Sequence, residues 1–211
     1  MLFQTTQAHE QLRAKIRAFA EEEVKPIAFS LDQANEFPAE AVKKLGELGL
    51  MGIPYPKEYG GAGLDAISYA IAVEELSRVD GGTGVILSAH VSLGSWPIFA
   101  FGTEEQKKKY LVPLARGEKI GAFGLTEPNA GSDAGGTETT AVDKGAPWLL
   151  NGGKIFITNA PRRTPMWSLP SPPRTSAPGA SPPSLWRRAG RGSSSATTMT
   201  RWVSAPPLPL S

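Results

Sequence analysis

The chain changes character at residue 160. All 20 acidic residues lie in 1–160, with 15 of the 22 Lys and Arg, while residues 161–211 hold seven Arg, no Lys and no acid. Eleven of the 19 Pro also fall in 161–211, among Ser, Ala and Gly. Such a segment cannot bury enough apolar area to offset roughly 1–2 kcal/mol of backbone entropy per residue, so a disordered tail is expected. The net charge of +2 is the sum of a front part at −5 and a tail at +7, and is no guide to partners.

Residues 1–160 are long enough for one domain and part of a second. There is no cysteine, which excludes disulfides and Cys-ligated metals. No run of about 18 apolar residues stands out, and "MLFQTTQAHEQLRAKIRAF" lacks the apolar centre of a signal peptide. A soluble, cytoplasmic protein without a membrane segment is expected.

Leu12, Ile16, Phe19, Ala20 and Val24 recur at helical spacing, predicting a helix over 7–25 that Pro26 ends. Pro38 opens a second helix, "PAEAVKKLGELGL", at the first-turn position. "MGIPYPKEYGGAGLD" reads as a loop. Helical pattern resumes in "ISYAIAVEELSRVD" and in "TGVILSAHVSLGSWPIFAFG", which is apolar on most faces and reads as a buried bundle helix. Thr103 with Gln106 forms a capping box for "TEEQKKKYLVPLARGE". After Gly117 the period changes: "IGAFGLT", "GTETTAVD" and "WLLNGGKIFIT" read as strands, with Asn151-Gly152 a hairpin turn. The fold class is therefore α+β: an all-helical bundle over 1–118, the first strands of a β-barrel-like domain over 119–160, and the tail over 161–211.

"AFGLTEPNAGSDAGG", residues 122–136, follows a strand and exposes backbone N–H groups and two hydroxyls, Thr126 and Ser132. On its own it is equally an ordinary connection, and it is neither GxGxxG nor a P-loop. His9 and His90 read as packed or surface histidines, and Glu74 and Glu75 as a solvated face or ion-pair partners. Glu127 reads as a structural acid bonding backbone in its turn. No metal-ligand or Ser/His/Asp set is present, and seven Arg without a motif do not make a nucleic-acid arm.

The loop resembles the L-T-E-P-x-A-G-S-D signature of the acyl-CoA dehydrogenases. "GIPYPKEYGGAG", "YAIAVEELSRVD", "FGTEEQKKKYLVPLARGE" and "NGGKIFITN" extend the likeness from about residue 5 to Ala160, with wording closest to the short-chain, butyryl-CoA type. The resemblance implies FAD as cofactor, an acyl-CoA substrate converted to the trans-2-enoyl-CoA, an electron-transfer flavoprotein as acceptor and a homotetramer when intact. An acyl-CoA oxidase or a non-catalytic helical fragment are the alternatives. It implies that Phe123, Gly124, Leu125 and Thr126 line the flavin, with the Leu125 backbone and the Thr126 hydroxyl at its polar rim. Phe156, Ile157 and Thr158 would contact the ring's other side, with Phe156 and Thr158 on one face of a strand, and Ser132 would meet the CoA portion. The family's catalytic glutamate belongs to a C-terminal domain not represented in these residues.

The genetic code accounts for the change at residue 160. Read one base out of phase, Met199-Thr200 forces Asp and Trp202-Val203 forces Gly. With permitted degenerate bases, 166–169 becomes V-V-F-A, 179–186 becomes G-I-S-A-F-I-V-E and 196–211 becomes D-H-Y-D-K-M-G-I-R-S-S-A-T-A-E. All three resemble what the family carries after "ITN", in order, which implies a frameshift near codon 161.

Overall fold

The computed structural model describes residues 4–142, 149–160, 165–168, 184–188, 197–198 and 202–204. The first part is helical: α1 (Gln7–Phe19), α2 (Lys25–Ala34), α3 (Ala39–Glu47), α4 (Ala66–Ser77), α5 (Gly81–Ser88), α6 (Trp96–Phe101), α7 (Glu104–Gln106) and α8 (Val112–Ala115). Side-chain caps fix the starts. Thr6 accepts from the His9 N–H, Asp65 from Ser68, Asp80 from Gly82 and Thr83, and the expected Thr103–Gln106 capping box is formed.

Pro26 does not end its helix as the sequence suggested. α1 runs through a π-turn, Ala20–Val24, into α2, with Pro26 in the new segment's first turn, and stops only at the left-handed Asn35. The pattern repeats twice: π-turn Ala89–Ser95 precedes Pro97, and π-turn Lys107–Leu111 precedes Pro113. A proline removes one N–H and its ring collides with the carbonyl four residues back. Widening the preceding turn moves that carbonyl away, so the helix axis continues. Pro38 sits one position earlier than expected, as the N-cap of α3.

The bundle closes on one core that includes Ile16, Leu45, Met51, Leu76, Leu87, Ile98 and Leu111, all 1% exposed or less. α1 is fastened to α4 by charge. Arg13 and Arg17 donate to the Glu75 carboxylate at 2.8 Å, and Glu75 itself is only 1% exposed. His9, at the N-terminal end of α1, bonds Asp65 at 3.0 Å. The helical run Gly81–Phe101 is long and apolar enough to cross a membrane by length and composition, but half of it is buried inside the protein. It is less enclosed than its composition suggested: Val85, Leu93, Trp96 and Phe101 stay about half exposed.

After the bundle come β1 (Ala122–Gly124), β2 (Thr140–Val142), β3 (Leu149–Asn151), β4 (Gly153–Lys154), β5 (Pro165–Ser168), β6 (Ser184–Arg188), β7 (Thr197–Thr198) and β8 (Trp202–Ser204). β1 pairs in parallel with β5, which continues antiparallel through β6 to β8; β2 pairs with β3, and β4 with β7. Asn151-Gly152 is therefore not a hairpin turn. It is a bend between β3 and β4, which have different partners. Gly152 (φ 152°) packs directly against Thr139, where a Cβ has no room. The tail departs from the expectation of no structure at β5 to β8, where backbone groups complete ladders whatever the side chains are. The rest of 161–211 lies outside the described residues.

The β part joins the bundle where Gly94 and Gly121 meet backbone to backbone. A Cβ on Gly94 would come within 2.5 Å of the Gly121 backbone. Gly94→Ala is expected to destabilise by about 1–3 kcal/mol, because neither backbone can yield to the added methyl. A chemical-denaturation midpoint equal to that of the unmodified chain would contradict this contact.

Candidate functional site

Two segments thirty residues apart in sequence meet at the mouth of the β part. The Ile155 N–H donates to the Thr126 carbonyl at 2.9 Å, and the Lys154 ammonium donates to the Leu125 carbonyl at 3.0 Å. The loop leaving β1 turns at once. Glu127 and Ala130 exchange backbone hydrogen bonds around Pro128-Asn129, which forms a tight turn.

The Glu127 side chain holds the base of this loop. It is 5% exposed and accepts from the Glu138 and Thr139 N–H groups and, at 2.6 Å, from Lys154. Burial pushes its carboxyl up, but the Lys154 ammonium and the backbone donors outweigh burial and hold it at about 2. Glu127 bonds backbone as expected, but that of Glu138 and Thr139 across the loop and not that of its own turn, and its charge partner was missed.

A second clamp secures Gly121, just before β1. The His90 ring, fully buried, accepts the Gly121 N–H on Nδ1 at 2.9 Å and faces the Leu114 carbonyl through Nε2 at 3.2 Å. Acceptance at Nδ1 places the proton on Nε2, so the ring is neutral. Burial pushes its pKa down to about 4, against a partial opposing effect of the Leu114 and Met51 backbone. Asn159 donates to the Gly121 carbonyl at 3.1 Å and to the Ile86 carbonyl at 3.2 Å. Both polar groups of Gly121 are thus held by side chains from opposite sides, and Asn159 (φ 70°) ends the segment that carries Phe156 to Thr158.

The residues singled out by sequence divide into packed and available sets. Phe123 packs on the helical core, Gly124 is buried in β1, and Ile157 packs with Ala122, Leu150 and Ala160 in a second small cluster. Thr126 is partly exposed, and neither its N–H nor its hydroxyl donates to any described residue. Phe156 is 87% exposed. The strand expected through Thr158 ends at Lys154, and Phe156 sits at φ 54° in a bend, so Phe156 and Thr158 do not share a strand face. The Ile155 bond to the loop takes the place of ladder pairing there. Ile157, Thr158 and Asn159 line a cleft of about 390 Å³ with Leu31, Phe37 and Ile86, rimmed by Asp32, Glu36 and Asp80. Ser132 is exposed, and no hydrogen bond among the described residues ties it to Thr126 or Phe156. Among the described residues no cluster of His, Cys, Asp or Glu is arranged for a metal.

The arrangement offers an uncovered aromatic ring at Phe156, next in sequence to the residue that bonds the loop, and two available donors on Thr126. That suits a flat heteroaromatic ligand with a polar edge, and the acidic rim of the cleft disfavours phosphate there.

Comparison with known proteins gives the same direction. Residues 6–118 match the family model for the acyl-CoA dehydrogenase N-terminal domain, and 122–171 the model for the middle domain. The short-chain-specific acyl-CoA dehydrogenase of Clostridium acetobutylicum is 62% identical over 159 residues, which are 75% of this chain and 42% of that protein. The chain thus spans less than half the length of that relative. The butyryl-CoA dehydrogenase structure from Megasphaera elsdenii superposes with a TM-score of 0.79 at 35% identity, covering 98% of this chain and 58% of that one. An acyl-CoA dehydrogenase from Bacillus anthracis, complexed with FAD, superposes with a TM-score of 0.81 at 33% identity, covering 97% and 37%.

Proposed function

Because the chain belongs to the acyl-CoA dehydrogenase family, we propose that its residues form the helical part and the opening flavin-contacting strands of an FAD-dependent dehydrogenase. The substrate would be a short-chain acyl-CoA, oxidised to the trans-2-enoyl-CoA, with an electron-transfer flavoprotein as acceptor. The observation that carries the proposal is the Ile155 N–H bond to the Thr126 carbonyl, which ties the loop bearing the Thr126 donors to the segment bearing the open Phe156 ring.

FAD, when bound, supplies a two-electron acceptor for the β-hydride. The Thr126 hydroxyl and N–H, with the Leu125 backbone, would hold its polar rim. Phe156 would cover a ring face, and Thr158 would reach it from the cleft. Ser132 would meet the CoA portion.

Removal of the α-proton needs a carboxylate base in a dry site. Glu127 cannot serve, since its oxygens already hold Lys154 and two backbone N–H groups. Residues 144–211 contain no acid. We infer that the reading frame slipped near codon 161. β5, at 165–168, falls where the shifted reading gives V-V-F-A, and β6, at 184–188, overlaps the end of G-I-S-A-F-I-V-E.

The test has two arms. The 211-residue chain mixed with FAD and butyryl-CoA is expected to leave the flavin's visible absorbance unbleached, while the product of a gene restored to frame bleaches it. Bleaching by the 211-residue chain, or an unbroken frame across codons 158–164 in resequenced DNA, would overturn the reading of the tail. Failure of the restored product to bleach would overturn the activity.

A further inference from the structure

Lys154 is the least expected residue of the site. Its side chain is 0% exposed, and an ammonium is costly to bury unless it is paired and hydrogen-bonded. Glu127 supplies the pair at 2.6 Å. The contact to the Leu125 carbonyl, at 3.0 Å, does something else.

A trans peptide holds its C=O and N–H in one plane, pointing in opposite directions from the C–N bond. The Leu125 carbonyl is drawn inward onto Lys154, so the N–H of the same peptide, that of Thr126, is turned the other way, outward. The Thr126 carbonyl is in turn taken by the Ile155 N–H at 2.9 Å. Lys154, the last residue of β4, and Ile155 after it therefore hold both carbonyls of the Leu125-Thr126 pair, leaving the Thr126 donors for a ligand. Glu127 fixes the ammonium, and is itself fixed by the Glu138 and Thr139 N–H groups across the base of the loop.

We propose that Lys154, held by Glu127, is a positioning residue that orients the Leu125-Thr126 peptide so that Thr126 presents its donors to the carbonyl-bearing edge of a planar heteroaromatic ring. Neither charged group touches the ligand. The proposal rests on the flavin reading given above, and the ligand chemistry is that of an isoalloxazine rim.

Orientation can be separated from stability by removing both charges together. Lys154→Met alone leaves a buried carboxylate unpaired and is expected to destabilise the fold. Lys154→Met with Glu127→Gln removes both charges, and loss of both partners of a buried pair is close to neutral. In urea unfolding followed by circular dichroism, the double variant should recover most of the stability lost by the single one. Its FAD affinity, read by flavin fluorescence titration of the full 211-residue chain, should stay at least about tenfold weaker than that of the unmodified chain, the equivalent of one misdirected hydrogen bond. Exchange of the Ile155 amide, which bonds the Thr126 carbonyl, should be faster in the double variant by a similar factor. A double variant that regains stability and binds FAD as the unmodified chain does would overturn the proposal. Should the unmodified chain not bind FAD, the flavin reading of this chain fails. The Ile155 amide then decides the positioning: faster exchange in the double variant supports it, and unchanged exchange overturns it.

Discussion

Glu75→Ala is expected to cost about 3 kcal/mol, the lower end of the range for breaking a buried ion pair. Glu75 is 1% exposed on α4 and accepts at 2.8 Å from Arg13 and, through both oxygens, from Arg17, both on α1. The Arg17 bonds, with the one from Arg13, outweigh the upward push of burial and hold its carboxyl at about 2. The cost sits at the low end because the Arg17 side chain is half exposed and Arg13 one-fifth, so both can turn to water once the carboxylate is gone. For a chain of this size the loss corresponds to a melting temperature lower by roughly 6–12 °C. Glu74→Ala serves as the control: Glu74 is well exposed, and its contact with Arg13 is worth about 0–1 kcal/mol. Equal effects of the two substitutions in thermal unfolding would show that burial of Glu75 is not what sets its contribution.

Glu75 also shows what the sequence can and cannot convey. Helical spacing placed it beside Glu74 on a helix, and ion pairing was one of its two readings. Nothing local separates the two residues, since which of them is buried depends on where α1 docks. The Thr103–Gln106 capping box and the change from helical to extended pattern after Gly117 were legible because they are local. The π-turns were not: the rule that proline ends a helix assumes α geometry upstream, and the widened turns before Pro26, Pro97 and Pro113 remove the clash that the rule depends on.

At the site, the loop and the segment ending at Thr158 were legible as motifs, but their meeting was not. It depends on the Ile155 bond to Thr126 and on Lys154, whose partner lies 27 residues away. A signal for Lys154 was present. It is the only charged residue in 149–160, inside an otherwise apolar and polar-neutral run. A lone charge there reads first as solvated, and only packing shows that it is enclosed. The strand forecast through Phe156 failed for a related reason: β-branched and aromatic residues favour a pleated surface, yet among the described residues no partner strand continues past Lys154, and the chain bends.

Acidification should weaken the fold in two successive windows, and His90 sets the first. An exposed histidine titrates near 6.5, whereas burial pushes His90 down to about 4. Between these values the unfolded chain takes up a proton that the folded chain refuses, so stability is full above 6.5 and falls as pH drops towards 4. The loss amounts to about 3 kcal/mol, following roughly 1.4 kcal/mol for each tenfold change in proton affinity. The geometry gives the reason. Protonation at Nδ1 would set an N–H against the Gly121 N–H, and among the described residues no acid bonds the ring to compensate. Glu75 and Glu127 govern the second window: both are held at about 2, so their contribution is intact above 4.5 and is lost as pH falls towards 2. His90→Gln keeps a donor and an acceptor but no titrating ring. It is expected to lower stability at neutral pH through imperfect fit and to flatten the profile between 6.5 and 4, leaving the lower window unchanged. Urea midpoints measured across this range test the assignment. A His90→Gln profile that falls as steeply as that of the unmodified chain above pH 4.5 would mean that another group carries the first window, and that the clamp on Gly121 survives protonation.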